Sequence, residues 1–395
     1  MSVHWPIIRS LARRAGRVVA VDDARSYRGA EMLVAAMHVA SEIERRSQSK
    51  HVGLLLPTSG AFPIAALASW MLGRVIVPLN YLLKPDELRY VIEHCEADTV
   101  VTVKPMLDFL GYEPEGVGLI RLEELDFKSV PDLRWPALAD PSDLAMLLYT
   151  SGTTGLPKGV MLTHGNLSAN IRQGMRGMRI TDRDVFLGVL PQFHSFGVTA
   201  LTLTPLTTGG KVVFTARFSP SKILELIRKH HATTFVGIPS MYNALAMAKE
   251  GTPEDLASIR LLVSGGEPLP DVVFERFSQK FGKTICEGYG MTELSPSTHC
   301  CTPGTQKRHS VGPPFPGVAQ RVVDPETQQE LGINQDGELR MKGPNLMRGY
   351  FKMADETKAS LDEQGFLRTG DIARVDEDGY VFITGRLKEM IIVGG

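Results

Sequence analysis

Short β-branched runs alternate with helical stretches through the first three quarters of this chain, and that alternation leaves few folds open. Runs at residues 52–56, 75–77, 99–103, 211–214, 234–236 and 259–263 are apolar and too short for helices. Their near-continuous apolarity implies burial on both faces, as in parallel strands covered by helices. Between them, residues 85–95 open on Pro85 at a permissible first-turn position. Residues 219–231 carry apolar side chains at Ile223, Leu224, Leu226 and Ile227. The expected fold is α/β, with two doubly wound, mainly parallel sheets and flanking helices. After about Val311 the texture changes to short strands separated by Gly, Pro and Asp turns, at 336–341, 365–368 and 378–383. A small antiparallel β-barrel subdomain is expected there. The boundaries drawn are 1–170 and 171–310 for the two α/β subdomains and 311–385 for the barrel.

A chain of 395 residues exceeds one hydrophobic core, in keeping with several packed subdomains. Lys and Arg total 43 against 44 Asp and Glu, so there is no basic excess to engage nucleic acid. Four cysteines, Cys95, Cys286, Cys300 and Cys301, are too few and too irregular for a disulfide framework or a zinc site. The N-terminal residues 1–14 lack an uninterrupted apolar stretch after Arg9, Arg13 and Arg14, unlike a signal peptide. In the most apolar region, 52–79, Pro57, Pro63 and Arg74 divide a would-be membrane span into a βαβ unit. A cytoplasmic protein without a transmembrane segment is expected.

The strongest local signal is Leu-Tyr-Thr-Ser-Gly-Thr-Thr-Gly-Leu-Pro-Lys-Gly-Val at 148–160, where an apolar strand runs into a loop of hydroxyls and glycines. Glycines let backbone N–H groups turn toward an anion, Thr150, Ser151, Thr153 and Thr154 add donors around Gly152, and Lys158 adds a mobile charge. It is not the P-loop of GTPases, because Gly-x4-Gly-Lys-[Ser/Thr] is absent. Without further context such a cluster is also an ordinary surface loop. A second cluster, Glu-Gly-Tyr-Gly-Met-Thr-Glu at 287–293, follows a strand-like 283–286. It reads either as a platform for a flat base, with Thr292 on phosphate and Glu293 on Mg2+, or as a turn around a core tyrosine. Arg-Thr-Gly-Asp at 368–371 reads as a tight turn whose Asp371 can accept from a ribose diol, although most Gly-Asp turns do nothing of the kind. Arg386 alone would be a solvated charge.

In order and spacing these segments resemble the signature motifs of the adenylate-forming superfamily of acyl-CoA synthetases, luciferases and peptide-synthetase adenylation domains. The resemblance covers nearly the whole chain. It includes Leu-Pro-Gln-Phe-His-Ser-Phe-Gly at 190–197, Gly-Ile-Pro-Ser at 237–240, Gly-Gly-Glu-Pro at 265–268, Lys-Gly-Pro-Asn-Leu-Met-Arg-Gly-Tyr at 342–350 and the segment from Gly385 to Gly395. The resemblance implies that Thr150, Ser151, Gly152, Thr153, Thr154 and Lys158 hold a triphosphate. It implies that Gly266, Glu267 and Pro268 with Glu287, Gly288, Tyr289 and Gly290 frame the adenine. Thr292 would touch the α-phosphate, Glu293 would ligate Mg2+, and Asp371 with Arg386 would hold the ribose. His194 would flank the carboxylate, and Phe193, Gly197, Gly237, Ile238 and Tyr242 would help form the acid pocket. Lys388 would sit at a hinge spanning 386–395, about which a smaller C-terminal domain pivots in family members.

Such chemistry joins ATP and a carboxylic acid into an acyl adenylate with release of pyrophosphate. A thiol, coenzyme A or the phosphopantetheine of a carrier protein, then accepts the acyl group. A carboxylic acid of pKa about 4 to 5 is already ionised at neutral pH, so no general base is needed. The site must instead align two anions and neutralise charge, hence glycines, hydroxyls, lysine and magnesium. The motif texture looks most like fatty acyl synthetases, so a medium- or long-chain fatty acid is expected. An aryl-acid ligase is the alternative within the class. The chain stops directly after a strand-like 390–393, so the C-terminal domain is expected to be absent and turnover by this chain alone impaired. A nucleotide-binding module, or a fragment completed by a C-terminal domain in trans, is the competing class.

Overall fold

A computed structural model describes residues 2–150 and 156–387. Two large sheets and one small one organise the chain. The seven-stranded sheet runs Gly349–Tyr350, Lys158–Thr163, Leu144–Thr150, Val75–Pro78, His51–Leu55, Thr99–Thr102, Gly118–Arg121. Its last five strands are parallel, and each connection between the first four in sequence passes through a helix: Ala61–Met71, Pro85–His94 and Lys104–Leu110. The apolar 52–79 region is thus a βαβ unit, with every residue of the strands His51–Leu55 and Val75–Pro78 buried. No helix among the described residues is long and apolar enough to cross a membrane.

The eight-stranded sheet runs Ser297–Cys300, Cys286–Gly290, Leu261–Ser264, Thr234–Gly237, Val185–Gly188, Lys211–Phe214, Val18–Val21, Ser26–Arg28. Six neighbouring strands, from Cys286–Gly290 to Val18–Val21, are parallel, with antiparallel strands at both edges. Helix Pro220–His230 covers one face with Ile223, Leu224, Leu226 and Ile227 buried, and its first turn is capped by the Ser219 hydroxyl accepting from Lys222 N–H (3.4 Å). The third sheet, Ala319–Val323, Gly337–Lys342, Leu367–Val375 and Val381–Arg386, is wholly antiparallel.

Sheet membership departs from boundaries drawn as contiguous blocks at 170 and 310. The N-terminal hairpin Val18–Arg28 joins the second large sheet through Ala20↔Val212, and Gly349–Tyr350 returns to the first through Tyr350↔Val160. Both exchanges pair strands far apart in sequence, which local periodicity does not encode. The expected antiparallel unit after Val311 is an open four-stranded sheet. Most of 386–395, including Lys388, lies outside the described residues.

Candidate active site

The ends of all three sheets meet at one cavity of about 440 Å³. The first sheet contributes Thr150, the second Gly265, Gly266, Gly288, Tyr289, Gly290, Thr292 and Glu293, and the small sheet Arg386. A larger groove of about 1060 Å³ lies elsewhere, between the N-terminal hairpin and the helix Gly29–Arg46, but none of the motif residues lines it.

The polar end is built from three hydrogen-bonded groups. Asp371, 6% exposed, receives Tyr289 Oη on Oδ2 (2.5 Å) and Arg386 Nε on Oδ1 (2.8 Å). Its strand does not turn at Arg-Thr-Gly-Asp as expected. The pairs Arg340↔Arg368 and Glu338↔Ile372 leave Thr369, Gly370 and Asp371 facing Leu339 alone. This bulge inside Leu367–Val375 uses Gly370 at φ +70° and is clamped by Thr369 Oγ1 donating to Leu339 O (2.6 Å). Bulging re-aims Asp371 toward Tyr289. Burial and the adjacent Asp371 push the Tyr289 phenol well up, so it remains a proton donor. Tyr289 belongs to the strand Cys286–Gly290 itself rather than to a loop after it. Gly290 is required by a close approach: a Cβ there would lie 2.0 Å from Pro296 O.

The second group is Thr292 and Glu293 on a short turn, Thr292–Leu294. Thr292 Oγ1 lies 3.2 Å from Ser195 Oγ, joining this turn to the 190–197 segment. Glu293 Oε1 accepts from Tyr350 Oη (2.8 Å). The third group is Lys158, opposite Thr150 in an antiparallel pair, so the ends of the glycine-rich loop stand side by side. Its ammonium pairs with Glu356 and lies 5.5 Å from the Tyr350 ring centre. Ser151, Gly152, Thr153 and Thr154 lie outside the described residues. No group of three or more metal-ligating side chains occurs among the described residues. Glu293 as a single carboxylate suits Mg2+, which commonly takes one or two carboxylates and completes its shell with phosphate oxygens and water.

The other end is apolar: Met178, Ile180, Phe186, Phe196, Ala200, Val236, Val263 and Phe315, with Thr234, Ser297 and His299 as polar interruptions. His194 stands at this cavity. Its Nδ1 accepts from Phe196 N–H (3.3 Å), which leaves Nε2 to carry the proton of the neutral ring. Surrounding protein lowers its pKa, although an edge of the residue remains exposed. Burial drives His299 down to about 4, and its Nε2 meets Gln320 Oε1 at 2.6 Å.

Several residues assigned to the pocket lie elsewhere. Tyr242 is fully buried, packs against Phe235 and Phe277, and donates to Val263 O (2.8 Å), so it is core beneath the sheet rather than wall. Phe193 packs edge-on against Tyr81, with ring centres 4.7 Å apart. Gly197 is buried, and a Cβ on it would meet Pro191 O at 2.0 Å, a packing requirement rather than a ligand contact. Gly237 is covered by Phe235, Met241 and Tyr242, while Ile238 is half-buried beside Gly266; neither lines the cavity, and Val236 does. Glu267 and Pro268 are exposed and outside the lining. The Glu287 carboxylate binds Arg308 Nη1 (2.6 Å) and His309 N–H (3.1 Å) instead of facing the cavity, and burial raises its pKa against the pull of Arg308.

Sequence reasoning passed over the residues that fix the Glu293 turn. Asn345, fully buried, donates to Leu294 O (2.8 Å), its carbonyl accepts from Ser295 Oγ (2.8 Å), and Asn170 donates to Ser297 O (2.6 Å). The available signal was Asn345 inside the quoted 342–350 segment, a polar residue among Pro, Leu and Met.

A family model described as AMP-binding enzyme matches residues 8–351. The chain belongs to that family. AMP-binding enzymes of this kind are the adenylate-forming enzymes whose motifs the sequence resembles. A curated relative, 4-coumarate--CoA ligase 3 of Oryza sativa subsp. japonica, is 33% identical over 390 residues, covering 93% of this chain and 70% of the relative. The ATP-bound structure of MatB from Rhodopseudomonas palustris aligns with TM-score 0.87 and 30% identity over 98% of this chain and 79% of that one. A long-chain-fatty-acid-CoA ligase from Archaeoglobus fulgidus aligns with TM-score 0.86 and 26% identity, over 99% and 85%.

Proposed function

We propose that this protein activates an apolar monocarboxylic acid with ATP, forming acyl-AMP and pyrophosphate, and that a thiol, coenzyme A or a carrier-protein phosphopantetheine, then accepts the acyl group. The observation that carries this reading is the convergence of Thr150, Tyr289, Thr292, Glu293 and Arg386 on a cavity whose other end is apolar, with Asp371 bonded to Tyr289 and Arg386 behind it. Adenine lies along Gly265, Gly266 and the Gly288 to Gly290 backbone, where absent side chains let a flat base approach. The ribose hydroxyls exchange for the Tyr289 hydroxyl at Asp371. Lys158 and the glycine-rich loop take the β- and γ-phosphates, and Thr292 donates to the α-phosphate. Mg2+, held by Glu293 and phosphate oxygens, would neutralise charge on the leaving pyrophosphate. The acid enters already ionised, so the chain supplies alignment and charge stabilisation rather than a base. Neutral His194 offers Nε2–H to the incoming carboxylate and orients one oxygen toward the α-phosphorus.

The acid is uncharged beyond its carboxylate. A second carboxylate in the apolar end would need a buried cation. Among the described residues the lining offers only Arg386, already engaged by Asp371. A cavity shared between nucleotide and acid favours a medium-chain fatty acid. An aryl acid is the second reading, favoured by the 4-coumarate ligase relative and by Thr234, Ser297 and His299 on the pocket wall.

Acid-dependent ATP–pyrophosphate exchange tests both levels. Octanoate and decanoate are expected to support exchange, with malonate and succinate at background. Exchange fastest with 4-coumarate or benzoate selects the aryl reading. Exchange driven by dicarboxylates or amino acids overturns the apolar one.

A further inference from the structure

Tyr350 reaches both charged arms of the site, Glu293 through its hydroxyl and Lys158 through its ring. Its backbone is fixed on three sides. Gly349–Tyr350 pairs with Lys158–Thr163, Met347 N–H donates to Glu293 O (2.7 Å), and Tyr350 N–H donates to Thr357 Oγ1 (2.8 Å). The segment therefore stitches the strand carrying Lys158 in the first sheet to the turn carrying Glu293 after the second. From this anchor the hydroxyl donates to Glu293 Oε1 (2.8 Å) while the ring lies under Lys158 Nζ at 5.5 Å. Lys158 pairs with Glu356, not with Glu293.

We propose that Tyr350 is a positioning residue of the adenylation step, one anchored side chain that orients Glu293 through its hydroxyl and Lys158 through its ring face. The inference rests on the functional reading above. The ring face attracts the Lys158 ammonium and steadies it where a phosphate can replace Glu356. With Oε1 held by the phenol, Glu293 presents Oε2 to a divalent cation in a fixed orientation, as outer hydrogen bonds do for ligating carboxylates. Tyr350 touches neither nucleotide nor acid, so its effect passes through these two neighbours.

The test is a double-mutant cycle with Tyr350→Phe and Glu293→Gln, read by electron paramagnetic resonance of Mn2+ binding to the protein loaded with a non-hydrolysable ATP analogue. Tyr350→Phe keeps the ring and removes only the hydroxyl. It is expected to weaken Mn2+ by about tenfold, and to add nothing in the Glu293→Gln background. Tyr350→Leu, which also removes the ring, is expected to weaken the analogue without metal as well, because Lys158 then loses the aromatic face that holds it. Loss of Mn2+ affinity by the same factor in both Glu293 backgrounds, or no loss with Tyr350→Phe, overturns the proposal. Wild-type protein that binds the analogue yet shows no Mn2+ dependence also overturns it, while leaving the nucleotide site standing. Wild-type protein that does not bind the analogue sinks the functional reading and this inference together.

Discussion

Single side chains, at the site and in the core, are defined by what burial does to their protons. His299 and His164 are each held near a pKa of about 4, chiefly by desolvation. His164 Nδ1 also accepts from Val3 N–H (3.3 Å), a bond available only to the neutral ring. Both folded values lie below the ordinary 6.5, so the unfolded chain binds more protons between these limits. Stability is therefore full above about pH 6.5 and falls as pH drops toward 4, by at most about 1.4 kcal/mol per pH unit for each group. Urea denaturation between pH 7.5 and 4.5 is expected to show this loss, and His299→Gln to flatten part of it. A wild-type midpoint constant across that range would contradict the placement of both imidazoles. Tyr289 and Tyr350 show the opposite case: half-buried residues whose phenols, desolvated beside carboxylates, stay protonated and serve as donors.

Among the elements, the short turn Thr292–Leu294 depends most on its neighbours, because three residues cannot hold a catalytic geometry alone. Asn345 holds it by donating to Leu294 O, and Ser295 returns a bond to Asn345 O. Asn345→Ala strands a buried carbonyl, at a cost of about 1–3 kcal/mol. A denaturation midpoint reduced accordingly, with nucleotide affinity reduced beyond what instability explains, is the expected outcome; unchanged values would show that the turn stands by itself. Elements were also where sequence reading was uneven. Apolar runs such as His51–Leu55 and Thr234–Gly237 announced buried parallel strands, because two-sided burial demands uniform apolarity. The bulge at Thr369 to Asp371 was read as a turn, since Gly-Asp serves both and only the register against Leu339 decides. Likewise Glu287 and Tyr242 looked like site residues in a motif string. The side to which a strand residue or the next helix turn points depends on partners such as Arg308 and Phe277, far away in sequence.

At the scale of the whole molecule, the site exists because three sheets meet. Thr150, Glu293 and Asp371 come from different sheets or their connecting turns, and no pair of them is within 70 residues of the other in sequence. Motif order made the family legible, because those segments carry backbone requirements that glycine and hydroxyl residues state openly. Membership of the hairpin Val18–Arg28 in the distant sheet was not legible, since it depends on pairing with Lys211–Phe214. On the proposed function, adenine nucleotide occupies the cleft with its ribose at Asp371. Isothermal titration of ATP with magnesium into the wild-type chain and Asp371→Asn measures this directly. One nucleotide per chain is predicted, weakened about tenfold or more by the substitution through loss of a charge-assisted hydrogen bond. No heat of binding to wild type, or equal affinity for both proteins, would contradict it.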